Sequence, residues 1–315
     1  MAQRDPWLDV HAHFVTERYL EQARANGHAE PDGWPTGLPS WSVDEALELM
    51  AATGVGAAVL SVSSPGVHFG DDAAARDLAR HVNEAGAEIV AANPSRFGLS
   101  VSLPLPDVDG ALAELAYGYD TLHADAVALK TNFHGRYLAD PAFEPVLAEM
   151  NRRGAVVTLH PTSAPCSDRT ALGYPRPMIE FLFDTTRCVI DLAMSGTLAR
   201  HPDIRWIVPH AGAVLPVLAH RVAGIGQITG KAVDMPAVLG GLYYDLAGMP
   251  LPVALDALLQ VASPDRLLYG SDFPFTPSEA VTALAAALRE SPAVQGAPLA
   301  ATAAELFPRL GGAGA

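Results

Sequence analysis

The sequence predicts a (β/α)8 barrel, a closed ring of parallel strands wrapped by helices. Two observations predict it. Eight short apolar runs alternate with helix-like stretches along 315 residues, a length that suits one large domain or two small ones. Polar residues also close the first, fifth, sixth and eighth of those runs. Alternation alone would fit an open doubly wound sheet as well. In an open sheet the first and eighth strands can lie far apart. In a barrel they are neighbours, and all four strand ends surround one mouth.

The eight runs are Leu8–His13, Ala57–Ser63, Phe97–Leu103, Ala126–Thr131, Ala155–His160, Arg205–His210, Leu242–Leu246 and Leu267–Asp272. Several are continuously apolar, as strands buried on both faces should be. The helices between them carry legible punctuation. Ser42-Val43-Asp44-Glu45 reads as a capping box, with Leu47, Met50 and Ala51 on one face and Gly54 as the stop. Ala74, Leu78, Val82 and Ile89 form the stripe of the next helix. Asp140-Pro141 starts another, whose apolar stripe is Phe143, Val146, Leu147 and Met150. Arg152, Arg153 and Gly154 end it. Residues 16–42, rich in Gly, Pro and Trp, are expected to form a small lid insertion after the first strand. Residues 161–178 are expected to form a second wall, and the chain after about 296 a flexible tail. The whole chain, 1–315, reads as a single domain.

Composition excludes several partners. The formal net charge is −15, which argues against nucleic acid and anionic membrane. It also means that an anionic substrate needs local positive charge. Lys130 and Lys231 are the only lysines. The two cysteines, Cys166 and Cys188, are too few for a disulfide framework, so free thiols in the cytoplasm are expected. No window reaches the roughly 18 apolar residues of a membrane span.

His11 and His13 stand one residue apart near the end of a strand, so their side chains share a face. His160, His210 and Asp272 end later strands. Imidazole nitrogens and carboxylate oxygens suit zinc and other first-row divalent ions. His11, His13, His160 and Asp272 would make a mononuclear site with room for water or substrate. His210 would stand beside it as ligand or as acid/base. Any one of these could be a capped core histidine or, for Asp272, a turn residue; five at equivalent places need a common cause. Asp9 should point away from the pair and play a supporting part. Lys130 ends the fourth strand, where a carboxylated lysine would allow a second metal. The favoured alternative is a lysine lining the mouth or paired with an acid.

These residues resemble the amidohydrolase superfamily, over about Leu8 to Phe275. More narrowly the chain is similar to the branch of 2-amino-3-carboxymuconate 6-semialdehyde and γ-resorcylate decarboxylases. Within that branch it looks most like the 6-methylsalicylate decarboxylases. The stretches that carry this are Ser-Ser-Pro-Gly-Val-His at 63–68, Ser-Leu-Pro-Leu-Pro-Asp at 102–107, Tyr-Pro-Arg-Pro-Met at 174–178 and Phe-Asp-Thr-Thr-Arg at 183–187. The resemblance implies one divalent metal ion, Zn2+ favoured and Mn2+ possible, held by His11, His13, His160 and Asp272. It implies catalytic roles for His210 and Asp272. It also implies a homodimer in which Arg221 reaches a substrate carboxylate, often across the interface. Phe275 matches an aromatic that lines the pocket, and Trp41 is placed loosely as a second wall. His-Ala-Gly at 210–212 departs from the His-Gly-Gly frequent in relatives; the extra methyl narrows the site without removing a ligand.

The implied reaction is non-oxidative decarboxylation of an ortho-hydroxy aryl acid, 6-methylsalicylate giving 3-methylphenol and CO2. Proton delivery to the ring carbon falls to Asp272 or His210, with Asp272 favoured. The alternative use of the same site is hydrolysis of a lactone, ester or amide by an activated water.

Overall fold

The computed structural model describes residues 5–311. Its main sheet has eight parallel strands in chain order. They are β1 (Trp7–His13), β2 (Val55–Ser61), β3 (Phe97–Ser102), β4 (Ala126–Lys130), β5 (Val156–His160), β6 (Arg205–Val208), β7 (Tyr243–Asp245) and β8 (Leu267–Leu268). Closure between the last strand and the first is made by bridges from Asp9 to Tyr269 and Ala12 to Phe273. Val10 N–H donates to Tyr269 O at 3.0 Å and His13 N–H to Phe273 O at 2.8 Å. The expected barrel is therefore the observed fold, and the strand ends differ from the expected runs by a few residues.

The helices that position the site are α1 (Glu17–Ala25), α2 (Val43–Thr53), α3 (Asp72–Ala92), α4 (Val108–Asp120), α5 (Glu144–Arg153), α6 (Glu180–Met194), α7 (Leu215–Ile228), α8 (Ser278–Glu290) and α9 (Leu299–Leu306). Ser42 caps α2 by accepting from Glu45 N–H, and Gly54 ends it at φ +71°, a left-handed turn that favours glycine. Gly154 ends α5 in the same way at φ +60°. A short hairpin, Asn132–Phe133 with Arg136–Tyr137, follows β4.

Two apolar layers hold the barrel. The outer one packs strands against helices and includes Trp7, Ala12, Phe14, Leu60, Leu78, Val101, Leu147, Val189 and Val281. The inner one fills the barrel with Leu8, Val10, Ala57, Val59, Ala126, Val156, Ile207 and Leu268. The same inner cluster contains Ala303, Leu306, Phe307 and Leu310. This corrects the expected flexible tail after about 296. The helix α9 and the turn after it plug the barrel floor, because its alanines are small enough to let Leu306 and Phe307 reach the interior. The last four residues lie outside the described chain.

The lid stretch 16–42 holds α1 and a tight turn, Pro31–Gly33. Thr16 caps α1 by accepting from Tyr19 N–H. The turn is fastened to the 161–178 segment: Asp32 accepts from Ser163 N–H at 3.1 Å and from its hydroxyl at 2.5 Å.

Candidate metal centre

A bulge in β1 aims the first two histidines. Asp9 pairs with Ala58 and Ala12 with Leu60, so β1 carries one residue more than β2 over that interval. Strict alternation would put Leu8, Val10 and Ala12 on one face. Instead Leu8 and Val10 face the barrel interior while Ala12 joins the outer layer. The extra residue reverses the parity, so His11 and His13 turn inward above Val10. Asp9 remains buried behind them, accepting from the backbone N–H of His11 at 3.0 Å and of Ser271 at 3.1 Å. Burial pushes its carboxyl up to about 6 against those bonds. Gly270 makes room for the pair: a Cβ there would stand 2.8 Å from that of His11.

His11, His13, His160 and Asp272 converge, and one ligand atom from each lies within 4.8 Å of the others. The hydrogen bonds around the rings fix which nitrogen faces inward. His11 Nδ1 donates to Asp245 Oδ2 at 2.9 Å. His13 Nδ1 meets Ser61 Oγ at 2.9 Å, and Ser61 in turn donates to Ala12 O, so the ring is the donor. His160 Nδ1 donates to Pro161 O at 2.6 Å. Each ring therefore turns its Nε2 toward the shared centre, given these tautomers. The Nε2 atoms of His11 and His13 stand 3.4 and 3.1 Å from Asp272 Oδ1, and Ser63 Oγ lies 3.1 Å from that of His160. His11 Nε2 is buried without a hydrogen-bond partner. Three imidazole Nε2 atoms and a carboxylate oxygen directed at one point are the donor set of a divalent ion, which would take the place of the His11 proton, so the residues fit such an ion.

The electrostatics follow from that crowding. Burial opposes charge on His11, but Asp245 and Asp272 outweigh it and raise the imidazole to about 10. Burial takes His13 down to about 4 and His160 well below the ordinary range. Burial also works against the Asp272 carboxylate, yet the neighbouring His11 and His13 imidazoles hold it ionised, well below the usual range. Asp272 sits at φ +58° and His210 at φ +57°, backbone strain of a kind that clusters at functional sites. His210 Nε2 stands 3.9 Å from Asp272 Oδ2. The His210 backbone N–H donates to Asp245 Oδ1 at 3.1 Å.

Asp245, Ser61 and Ser63 are absent from the site expected from sequence. The acid that ends the seventh strand, in Tyr-Tyr-Asp-Leu, was the available signal. Helix α6 supports both sides of the mouth. Asp184 receives bonds from Asn132 at 3.0 Å, from Tyr137 at 2.5 Å and from Thr131. Thr186 Oγ1 accepts from Val214 N–H, which steadies the loop after His210.

The remaining expected residues separate. Phe275 packs edge-on against His13 with ring centroids 5.6 Å apart. Trp41 does not reach the mouth, which corrects its loose placement there: it packs at 6.1 Å from Phe14 and 6.4 Å from Phe97, in the layer between the strands and α2. Arg221 is exposed on α7. Lys130 is buried and lines a cavity of about 570 Å³ over the ends of β3 and β4, beneath residues 27–33 of the lid stretch. Burial lowers its amine to about 7.

A family model described as amidohydrolase matches residues 8–309. The 6-methylsalicylic acid decarboxylase acuB of Aspergillus aculeatus is 37% identical over 324 residues, covering 96% of each chain. A solved amidohydrolase II structure superposes with a TM-score of 0.91 at 32% identity, covering 96% of this chain and 99% of that one. A dihydroxybenzoic acid decarboxylase from Polaromonas, solved with bound manganese and 2-nitroresorcinol, has a TM-score of 0.83 at 21% identity over 97% of both chains; that likeness concerns the fold. The chain belongs to the amidohydrolase family.

Proposed function

We propose that this enzyme is a metal-dependent, non-oxidative decarboxylase of an ortho-hydroxy aryl acid, with 6-methylsalicylate as substrate and 3-methylphenol and CO2 as products. The carrying observation is the convergence of three imidazoles and Asp272 in a chain similar over nearly its full length to a 6-methylsalicylic acid decarboxylase. The same likeness favours decarboxylation over hydrolysis.

Direct loss of CO2 from an aryl acid leaves an unstable anion in the ring plane. Protonating the carbon that bears the carboxylate removes this difficulty. Asp272, held ionised by its imidazole neighbours, takes the proton of the ortho hydroxyl and returns it to that carbon. The carbon–carboxylate bond then breaks, its electron pair flows back into the ring, and the phenolate regains a proton from solvent. His210, 3.9 Å from Asp272 Oδ2, steadies the carboxylate as it changes charge. Phe275 offers the aromatic ring a flat wall beside His13. An ion held by His11, His13, His160 and Asp272 would supply charge neutralisation and Lewis-acid polarisation of the acid. Zinc is the ion we favour from the three-nitrogen, one-oxygen set, with manganese as the alternative.

A homodimer fits the surface of α7. Val217, Ile225 and Ile228 are 72%, 47% and 84% exposed and share a helix face with Arg221. An apolar stripe of that kind marks a contact surface, and Arg221 would then serve the partner's substrate. A cytoplasmic location fits the two free thiols, Cys166 and Cys188. No helix among the described residues is long and apolar enough to cross a membrane. Product analysis of metal-loaded enzyme with 6-methylsalicylate tests the function.

A further inference from the structure

We propose that Lys130 is an anion-binding residue of the active site, receiving the carboxylate of the aryl acid from the cavity side of the metal centre. The inference rests on the decarboxylase reading and adds a residue to it. Lys130 is the ladder partner of the ligand His160. Its Nζ donates to Val62 O at 2.6 Å, one residue before Ser63, whose hydroxyl touches His160. The side chain is 5% exposed, and no carboxylate among the described residues lies within ion-pair reach of it. A buried ammonium with a single carbonyl acceptor keeps two donors for something else, and a buried charge without a counter-charge is costly. The other strongly basic side chain lining the cavity, Arg176, is already bonded to Asp168 at 2.5 Å. The cavity, about 570 Å³, is of a size that takes small ligands. In a chain of net charge −15, a local cation beside the metal is what an anionic substrate requires. Carboxylation of Lys130 to bridge a second metal has little to recommend it here. Among the described residues one His/Cys/Asp/Glu group could hold an ion, and it already comprises His11, His13, His160 and Asp272.

The test compares two unreactive probes of similar shape, 2-hydroxybenzenesulfonate, which is anionic, and 2-hydroxyphenyl methyl sulfone, whose sulfonyl group is neutral. Calorimetry on zinc-loaded enzyme should show Lys130→Met weakening the sulfonate at least tenfold and the sulfone less than twofold, with metal content unchanged. Because the chain has two lysines, a second measurement needs no variant at Lys130. Wild-type enzyme labelled with 15N-lysine gives two Nζ resonances, and the sulfonate alone should move the one from Lys130. Equal losses for both probes, no loss for either, or an unmoved Lys130 resonance would overturn the proposal. So would a mass increase of one carboxyl group with two metals per chain. Product analysis run alongside separates the failures. CO2 release by an enzyme that ignores probe charge removes the Lys130 role alone, whereas absence of CO2 removes the decarboxylase reading.

Discussion

Asp245, at the end of β7, accepts the Nδ1 proton of His11 from two strands away at 2.9 Å. Its other oxygen accepts from the backbone N–H groups of His210 and Ala247 at 3.1 and 3.0 Å. One buried carboxylate thus orients a ligand and fixes the backbone of the residue beside it. Asp245→Asn should lower metal affinity roughly 10–100-fold, as loss of such a partner does elsewhere. Competition with a chelator of known affinity measures it. Unchanged affinity would mean that Asp245 only supports the fold.

Metal binding should displace a proton. In metal-stripped protein, Asp245 and Asp272 keep His11 protonated up to about 10, while His13 and His160 are already neutral at pH 7 because burial lowers them. Affinity should therefore rise about tenfold per pH unit between pH 6 and 9, from one proton rather than three. Folding stability changes in the opposite direction with pH. The raised imidazole contributes fully below its ordinary value of 6.5 and loses that contribution as pH climbs through about 10. Calorimetry in two buffers of different ionisation enthalpy should give close to one proton released per ion. A value near zero or near three contradicts the assignment.

The proton roles of Asp272 and His210 separate by substitution. Asp272→Asn, reloaded with metal at saturating concentration, should lose turnover by about 10²–10⁴-fold, as removal of a positioned acid–base group does. His210→Asn should keep its metal, since His210 lies outside the ligand group, and lose rate with substrate affinity nearly intact. Near-normal turnover of metal-loaded Asp272→Asn would end the donor assignment.

The α7 face predicts complementation. Ile228→Asp should shift the enzyme from dimer to monomer in light-scattering chromatography. Arg221→Ala and Asp272→Asn should each be nearly inactive. When they are unfolded and refolded together, about one active site in every mixed dimer should recover. Activity that stays at the level of the separate variants would place Arg221 outside the partner's site.

The barrel was legible because buried parallel strands are continuously apolar and because a closed ring alone gathers the ends of the first, fifth, sixth and eighth strands. His11, His13, His160 and Asp272 were legible for the same reason. The bulge that turns His11 and His13 inward was not, because it depends on pairing with β2 rather than on the sequence of β1. Asp245 was missed because the seventh run was carried to Leu246, which placed the acid inside the strand rather than at its end. In the C-terminal segment alanine and glycine read as a loose tail. The spacing of Leu299, Ala303, Leu306 and Leu310, all buried, was the truer signal of an amphipathic plug. Trp41 had only its residue type to place it, and aromatic residues serve cores as readily as pockets.

Metal-loaded enzyme and a chelator-treated control should be given 6-methylsalicylate, and the phenol and gas analysed together. The untreated enzyme should give 3-methylphenol and CO2 in equal amounts, abolished by the chelator and restored by Zn2+ or Mn2+. No phenol from this or any other ortho-hydroxybenzoate, together with turnover of a lactone or ester, would contradict it.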